Sequence, residues 1–206
     1  MADYKKPDYW QQKARSEGYP ARSVYKLKEI EEKFRFFNLT ASGGLRVLDL
    51  GAAPGSWSLY VLRKYKNGFL AAADLSPLSR EFDRGLFGND NFFFVQGDIT
   101  SQEVRGCLFE KGPYSAIISD AAPATTGNHI VDAARSLALA EEVIFYAEKI
   151  LVPGGNLALK VFQGGDSAAL LKRIKSLFNT AKSYKPQACR GESMETYFIG
   201  LGFTQP

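Results

Sequence analysis

The stretch LRVLDLGAAPGSWSLYVLRKY, residues 45–65, decides the architecture. Its first part, LRVLDLG (45–51), is a short apolar run that reads as a strand ending in a turn. Its last part, SWSLYVLRKY (56–65), reads as a helix. The linking loop relies on Gly51 and Gly55 for a tight turn and close backbone approach, and the helix starting at Ser56 presents free N–H groups. The loop is not the dinucleotide pattern GxGxxG: Ala53 stands at the second glycine position and Pro54 stiffens the turn.

Working outward, the same alternation continues. GFLAAADL (68–75) is a second strand, followed by a helical stretch near 77–87. NFFFVQGD (91–98) is a third strand, TSQEVRGCLF (100–109) a short helix, and YSAIISD (114–120) a fourth strand ending in a proline-containing loop. Leu137, Ala140, Val143, Ile144, Ala147 and Leu151 give residues 131–151 the spacing of an amphipathic helix, ended by Pro153, Gly154 and Gly155. NLALKVF (156–162) is a fifth strand and SAALLKRIKSLF (167–178) another amphipathic helix. KSYKP (182–186) and TYFIGLGF (196–203) form the closing strands, antiparallel because only about ten residues join them. Upstream, PARSVYKLKEIEEKF (20–34) is basic and helical.

These elements predict an α/β fold: a mostly parallel twisted sheet with helices on both faces and an antiparallel C-terminal strand. At 206 residues, with no repeat, low-complexity tract or linker, the chain is expected to form one domain, a basic N-terminal extension (1–44) preceding a core (45–206). Ligands of such sheets bind outside the carboxyl ends of the strands.

Composition narrows the chemistry. Cys107 and Cys189 lie far apart outside any ligand pattern, so two unpaired thiols in a reducing compartment are expected, with no metal site. The lone His129 excludes a mechanism that needs two histidines. No signal peptide or bilayer-length apolar run occurs, which predicts a cytoplasmic protein with no membrane association. The net charge is +4, and its distribution matters more than its size. Residues 1–28 hold Lys5, Lys6, Lys13, Arg15, Arg22, Lys26 and Lys28 against three acids, and residues 172–190 hold Lys172, Arg173, Lys175, Lys182, Lys185 and Arg190 against none. The two segments form one phosphate-binding face if the fold joins them, and two solvated surfaces if it does not.

Two acids strengthen the loop signal. Asp74 ends the second strand and Asp98 the third, placing one carboxylate to suit a ribose diol and the other an adenine amino group. Each alone is also a plausible helix cap. With the GAAPG loop beside them, they match the nucleoside-binding plan of Rossmann-like S-adenosylmethionine methyltransferases. Trp57 reads equally as a cofactor contact and as a packing residue. Elsewhere, Lys26 in SVYKLKEI, Asp120 in AIISDAAP, Lys160 in LALKVFQ and Glu195 in SMETYFIG could meet at one sheet edge.

With RSVYKL, DLGAAPGSW, SDAAP followed by TTG, and LKVFQG, the chain resembles the FtsJ/RrmJ family of ribose 2′-O-methyltransferases over nearly its whole length. Its size resembles the bacterial branch, which acts on large-subunit ribosomal RNA without an appended domain. The resemblance implies S-adenosyl-L-methionine as cofactor and, as substrate, RNA, a uridine of 23S rRNA within the large ribosomal subunit, with no obligate protein partner. It places a catalytic Lys-Asp-Lys-Glu set on Lys26, Asp120, Lys160 and Glu195. It places cofactor contacts on Gly55, Trp57, Asp74, Asp98 and Asp120, beside Gly51 of the loop. One departure is Ser56, where the bacterial enzymes usually carry a second glycine; a serine can still serve at a helix start.

The implied reaction is attack of a ribose 2′-hydroxyl oxygen on the sulfonium methyl. Lys160 is expected either to accept the hydroxyl proton or to hold the hydroxyl and stabilise its developing charge, with Asp120 orienting it. Lys26 opposes a charged Lys160 while Asp120 and Glu195 favour one, so the sequence leaves both roles open. Holding the substrates in line would supply much of the acceleration. A nicotinamide oxidoreductase is disfavoured by the missing GxGxxG and leaves the four charged residues unexplained. A non-catalytic RNA-binding assembly factor is the alternative from another class, and transfer RNA the alternative substrate.

Overall fold

The computed structural model describes residues 9–37, 44–164, 166–190 and 193–204, so Lys5 and Lys6 lie outside the described residues. Helices α1 (Tyr9–Ser16) and α2 (Val24–Phe34) precede β1 (Arg46–Leu50), α3 (Ser56–Lys64), β2 (Phe69–Asp74) and β3 (Phe92–Gln96). There follow α4 (Gln102–Glu110), β4 (Tyr114–Ser119), α5 (His129–Ile150), β5 (Leu151–Phe162), α6 (Ser167–Leu177), β6 (Phe178–Tyr184) and β7 (Glu195–Phe203). The strands form one seven-stranded sheet in the order β3-β2-β1-β4-β5-β7-β6. Pairing is parallel from β3 to β5, and β7 inserts antiparallel between β5 and β6.

Alternation along the strands splits the core in two. Val47, Leu70, Ala72, Ala116, Ile118 and Ala158 pack with α1, α2 and α3 on one face. Their neighbours Leu48, Ala71, Ala73, Ile117, Leu157 and Leu159 pack with α4, α5 and α6 on the other. Both faces of the inner strands are therefore apolar, as a sheet covered on both sides requires. Local signals fix the starts of α4 and α5: Ser101 Oγ accepts from Val104 N at 3.3 Å, and Asn128 Oδ1 accepts from Ile130 N at 3.1 Å.

Three local expectations need correction. Residues 77–87 form no α-helix; they run as a loop with a single 3-10 turn at Leu86–Gly88. Short polar side chains there satisfy the backbone locally, Ser79 Oγ accepting from Glu81 N and Asp83 Oδ1 from Gly85 N, both at 3.3 Å, and such bonds compete with a helix. The C-terminal strand pair is antiparallel, but β6 starts at Phe178 and stops at Tyr184. Phe178 packs its ring 5.3 Å from Phe203, whereas Pro186 has no N–H for a ladder. The helix before β5 stops at Ile150, ahead of Pro153; Leu151 already pairs with Tyr114, and the ladder resumes after a shift at Ala116 and Asn156.

Candidate active site

The carboxyl ends of the strands bring the singled-out residues to one edge. Asp74 closes β2, Asp98 follows β3, Asp120 follows β4, and Lys160 sits near the end of β5. Because β7 runs the other way, its first residue, Glu195, arrives at the same edge, paired with Phe162. Lys26 comes from α2, above them. The result is a compact cluster of four charged side chains. Lys26 Nζ lies 2.8 Å from Glu195 Oε2 and 4.0 Å from Asp120 Oδ1, and Lys160 Nζ lies 3.0 Å from that same Asp120 oxygen. Lys160 Nζ also donates to the Asp120 backbone carbonyl at 2.5 Å.

Tyr197, two residues beyond Glu195 on the same face of β7, donates its hydroxyl to Asp120 Oδ1 at 2.5 Å. The sequence reading missed it, although the period-2 rule places it beside Glu195. Burial works against the Asp120 carboxylate, but Lys160, Lys26 and the tyrosine hydroxyl together hold its pKa below the usual range. Burial also opposes the charge on Lys26, but Asp120 and Glu195 outweigh it and keep that ammonium protonated to higher pH than usual.

A cavity of about 460 Å³ opens against this cluster. Gly51, Ala53 and Pro54 form one wall, Asp74, Leu75, Asp98 and Ile99 a second, and Asp120, Lys160, Lys26 and the Ala21–Ser23 segment the end. Gly51 has a φ of +77°, and a Cβ there would lie 2.5 Å from that of Ala121, so the loop needs glycine. Asp74 is positioned by Ala53 N at 2.9 Å and Ser76 N at 2.8 Å. Asp98 accepts from both the backbone N–H and the hydroxyl of Thr100, which lowers its pKa. Two oriented carboxylates, with Leu75, Ile99 and Leu139 between and beside them, suit a ribose diol and an apolar-faced base, so the donor set fits a nucleoside cofactor.

Gly55 and Trp57 do not line this cavity. Gly55 starts α3 at φ 106°, and a Cβ there would meet the Phe87 ring at 2.8 Å. Trp57 is buried behind the wall, its Nε1 donating to Ser23 O at 2.8 Å and its ring centroid 5.9 Å from that of Tyr197. Glu195 likewise stands behind Lys26. Ser56 Oγ accepts from Ala21 N at 2.8 Å and donates to Ala21 O at 3.2 Å, so with Trp57 it pins the segment leading to Lys26. Asp49, also missed, is buried on β1 with Oδ2 bonded to Ser58 at 2.6 Å and Oδ1 without a partner; burial pushes its carboxyl up to about 7. A larger hollow of about 700 Å³ between α2 and α3 receives no strand end, and its Glu31 is already engaged by Tyr60, Tyr65 and Lys64.

The FtsJ-like methyltransferase model matches residues 19–203. The chain belongs to the FtsJ-like methyltransferase family. Among relatives of this FtsJ-like methyltransferase, ribosomal RNA large subunit methyltransferase E of Treponema denticola is 51% identical over 202 residues, covering 97% of this chain and 96% of its own. The Borreliella afzelii protein of the same name is 46% identical over 196 residues, covering 95% and 98%. A solved Plasmodium falciparum structure, assigned as a ribosomal RNA methyltransferase, superposes with a TM-score of 0.75 at 26% identity, covering 91% of this chain and 100% of that one. The fibrillarin/Nop5p complex shares the fold alone, with a TM-score of 0.61 at 17% identity.

The basic residues divide. Arg22 lines the cavity and Ala188, near the end of the second basic segment, receives its guanidinium at 2.7 Å, so the two segments do meet there. Arg15 pairs with Glu81 at 2.7 Å, and Lys28 with Glu17 at 2.6 Å. Arg173 is engaged by Glu141 and Glu148. Among the described residues no helix is long and apolar enough to cross a membrane.

Proposed function

We propose that this protein transfers the methyl group of S-adenosyl-L-methionine to a ribose 2′-oxygen of large-subunit ribosomal RNA. The observation that carries this reading is the convergence of Lys26, Asp120, Lys160 and Glu195 on the end of the nucleoside-sized cavity. The names of the curated relatives supply the substrate class. Residues 1–206 are read as one methyltransferase domain, acting in the cytoplasm on the ribosomal subunit.

When bound, the cofactor supplies an electrophilic methyl on a sulfonium. Asp74 would hold the ribose diol, Asp98 the adenine amino group, and the Gly51 loop the intervening backbone approach. Lys160 spends two donors on Asp120 oxygens, leaving its third N–H for the cavity it lines. From there it would hold the 2′-oxygen and stabilise the negative charge that builds on it as its proton is lost to water; that oxygen would then bond the methyl as the methyl–sulfur bond breaks and its electron pair stays on sulfur. Asp120, itself held by Tyr197, fixes Lys160; Lys26, held by Glu195, adds a second positive charge at the same end. The 2′-hydroxyl makes RNA, not DNA, the acceptor.

The test is transfer of labelled methyl to large subunits from a deletion strain, protein-free ribosomal RNA and bulk transfer RNA. Label recovered as ribose 2′-O-methyl in large-subunit RNA is the expected result. Label in transfer RNA alone overturns the substrate, and no label with cofactor binding intact overturns the reaction.

A further inference from the structure

Among the described residues, Arg22 in the turn leading into α2 and Lys26 and Glu29 on the helix, spaced by four and then three, reach the β6–β7 connection and the start of β7. Lys26 takes Glu195. On either side of that contact, Arg22 and Glu29 take hold of one residue, Ala188. Arg22 Nη2 donates to Ala188 O at 2.7 Å, and Glu29 Oε1 accepts from Ala188 N at 2.9 Å. The second Glu29 oxygen accepts from Gln187 N at 2.7 Å and from the Tyr184 hydroxyl at 3.2 Å. Ala188 is fully buried under this clasp. One carboxylate thus gathers two successive backbone N–H groups and a phenol, a charge-assisted set stronger than neutral bonds.

The clasp matters because of where the connection leads. Cys189 follows directly and faces Glu195, whose negative charge, after burial, raises the thiol to about 12. Glu195 itself is the first residue of β7, opposite Phe162, and its N–H is bonded to Ser193 Oγ at 3.2 Å. The residues just before it are held by Gln163 N to Met194 O at 2.8 Å and Lys185 Nζ to Ser193 O at 2.7 Å, and farther back the connection is joined to α2 and its entry turn through Arg22 and Glu29.

We propose that Arg22 and Glu29 are positioning residues for the Lys26–Glu195 pair, acting through Ala188. This rests on the proposed role of that pair. It assigns Arg22 to a different task from the RNA-phosphate contact that its charge and location would otherwise imply.

The test compares Glu29→Ala, Glu29→Gln and Arg22→Ala with the parent chain, measuring kcat, its pH profile, cofactor affinity by calorimetry, and the salt dependence of RNA binding. Glu29→Ala should lower kcat by about tenfold or more and move its pH profile, with cofactor affinity changed less than about twofold. Glu29→Gln, which keeps an acceptor oxygen, should fall between. Arg22→Ala should follow Glu29→Ala and leave the salt slope unchanged. An unchanged kcat in Glu29→Ala overturns the proposal. So does an Arg22→Ala protein that keeps its kcat but loses about one unit of salt slope, which would make Arg22 a phosphate contact. Hydrogen exchange separates this from failure of the proposed reaction: in Glu29→Ala the amides of 187–188 and 195–197 should lose protection whether or not any RNA is methylated. Protection lost at 187–188 alone would show a purely local bond and overturn the positioning role.

Discussion

Replacing Asp120 by asparagine should expose how the charge cluster is balanced. The carboxylate lies 3.0 Å from the Lys160 ammonium and 4.0 Å from that of Lys26. At an effective dielectric constant of about 20 these attractions amount to roughly 5.5 and 4 kcal/mol, against which stands the cost of stripping water from three nearly buried ions. Asparagine leaves both lysines in place with Glu195 as the remaining carboxylate, so the cluster carries an uncompensated positive charge. Breaking a buried ion pair in this way costs about 3–5 kcal/mol, and the Asp120→Asn chain should be destabilised by that amount near neutral pH. The sign of the pH dependence follows from the lowered Asp120 pKa. An unfolded chain takes up this proton first as pH falls, so the carboxylate's contribution is present above the ordinary carboxylate range and is lost as pH drops through the folded value. Urea unfolding of both chains at neutral and acidic pH measures this. The gap should narrow on acidification; a gap below about 0.5 kcal/mol at neutral pH, or one independent of pH, would refute the electrostatic account.

Lys160→Met should abolish methyl transfer while cofactor affinity by calorimetry stays within about twofold; near-normal turnover would remove Lys160 from its role. Asp74→Ala should weaken cofactor binding by about tenfold or more, since a charged acceptor is lost from the diol wall, and an unchanged isotherm would exclude that contact. Asp49→Asn should gain stability relative to the parent as pH rises from the ordinary carboxylate range to about 7. Over that window the folded parent retains a proton that its unfolded chain has shed, a penalty of a few kcal/mol absent from the amide; parallel stability–pH curves would contradict it. Gly51→Ala should both destabilise the chain and impair cofactor binding, because its Cβ would strike the Ala121 backbone at 2.6 Å; a normal Tm would show that the loop can yield.

The parallel core was legible because strands covered on both faces must be apolar along their length, and LRVLDL, GFLAAAD and YSAIIS have nothing else to be. Asp74, Asp98 and Asp120 were legible at one edge because a parallel sheet collects whatever follows each strand, whereas Lys26 on α2 and Glu195 at the start of antiparallel β7 joined them through the family resemblance. Partnerships that depend on side chains crossing the fold were not. Tyr197 looked like one more apolar strand residue until Asp120 stood opposite its hydroxyl. Trp57 could not be resolved between packing and binding, because the carbonyl that satisfies its indole, that of Ser23, is 34 residues away. The helical reading of 77–87 failed where Ser79 and Asp83 bond their own backbone, with Arg63 and Arg15 anchoring the loop at Phe82 and Glu81. Helix α1 gave too short a pattern to separate from the charged segment around it.

The insertion of β7 between β5 and β6 has a consequence for a chain still being synthesised. Strand β6 is made first, yet it has no partner until β7 fills the slot beside it, so a ribosome-bound chain carries β5 and β6 with the edges that β7 will cover still open. Lys26 emerges early and waits for a carboxylate 169 residues downstream. Closing so long a loop costs entropy that only the last ladder repays, so completion of the sheet and assembly of the cluster become one late event. A nascent or C-terminally truncated chain would hold most of the cofactor wall without the Glu195 side of the cluster, and would present exposed edges prone to pair with other chains.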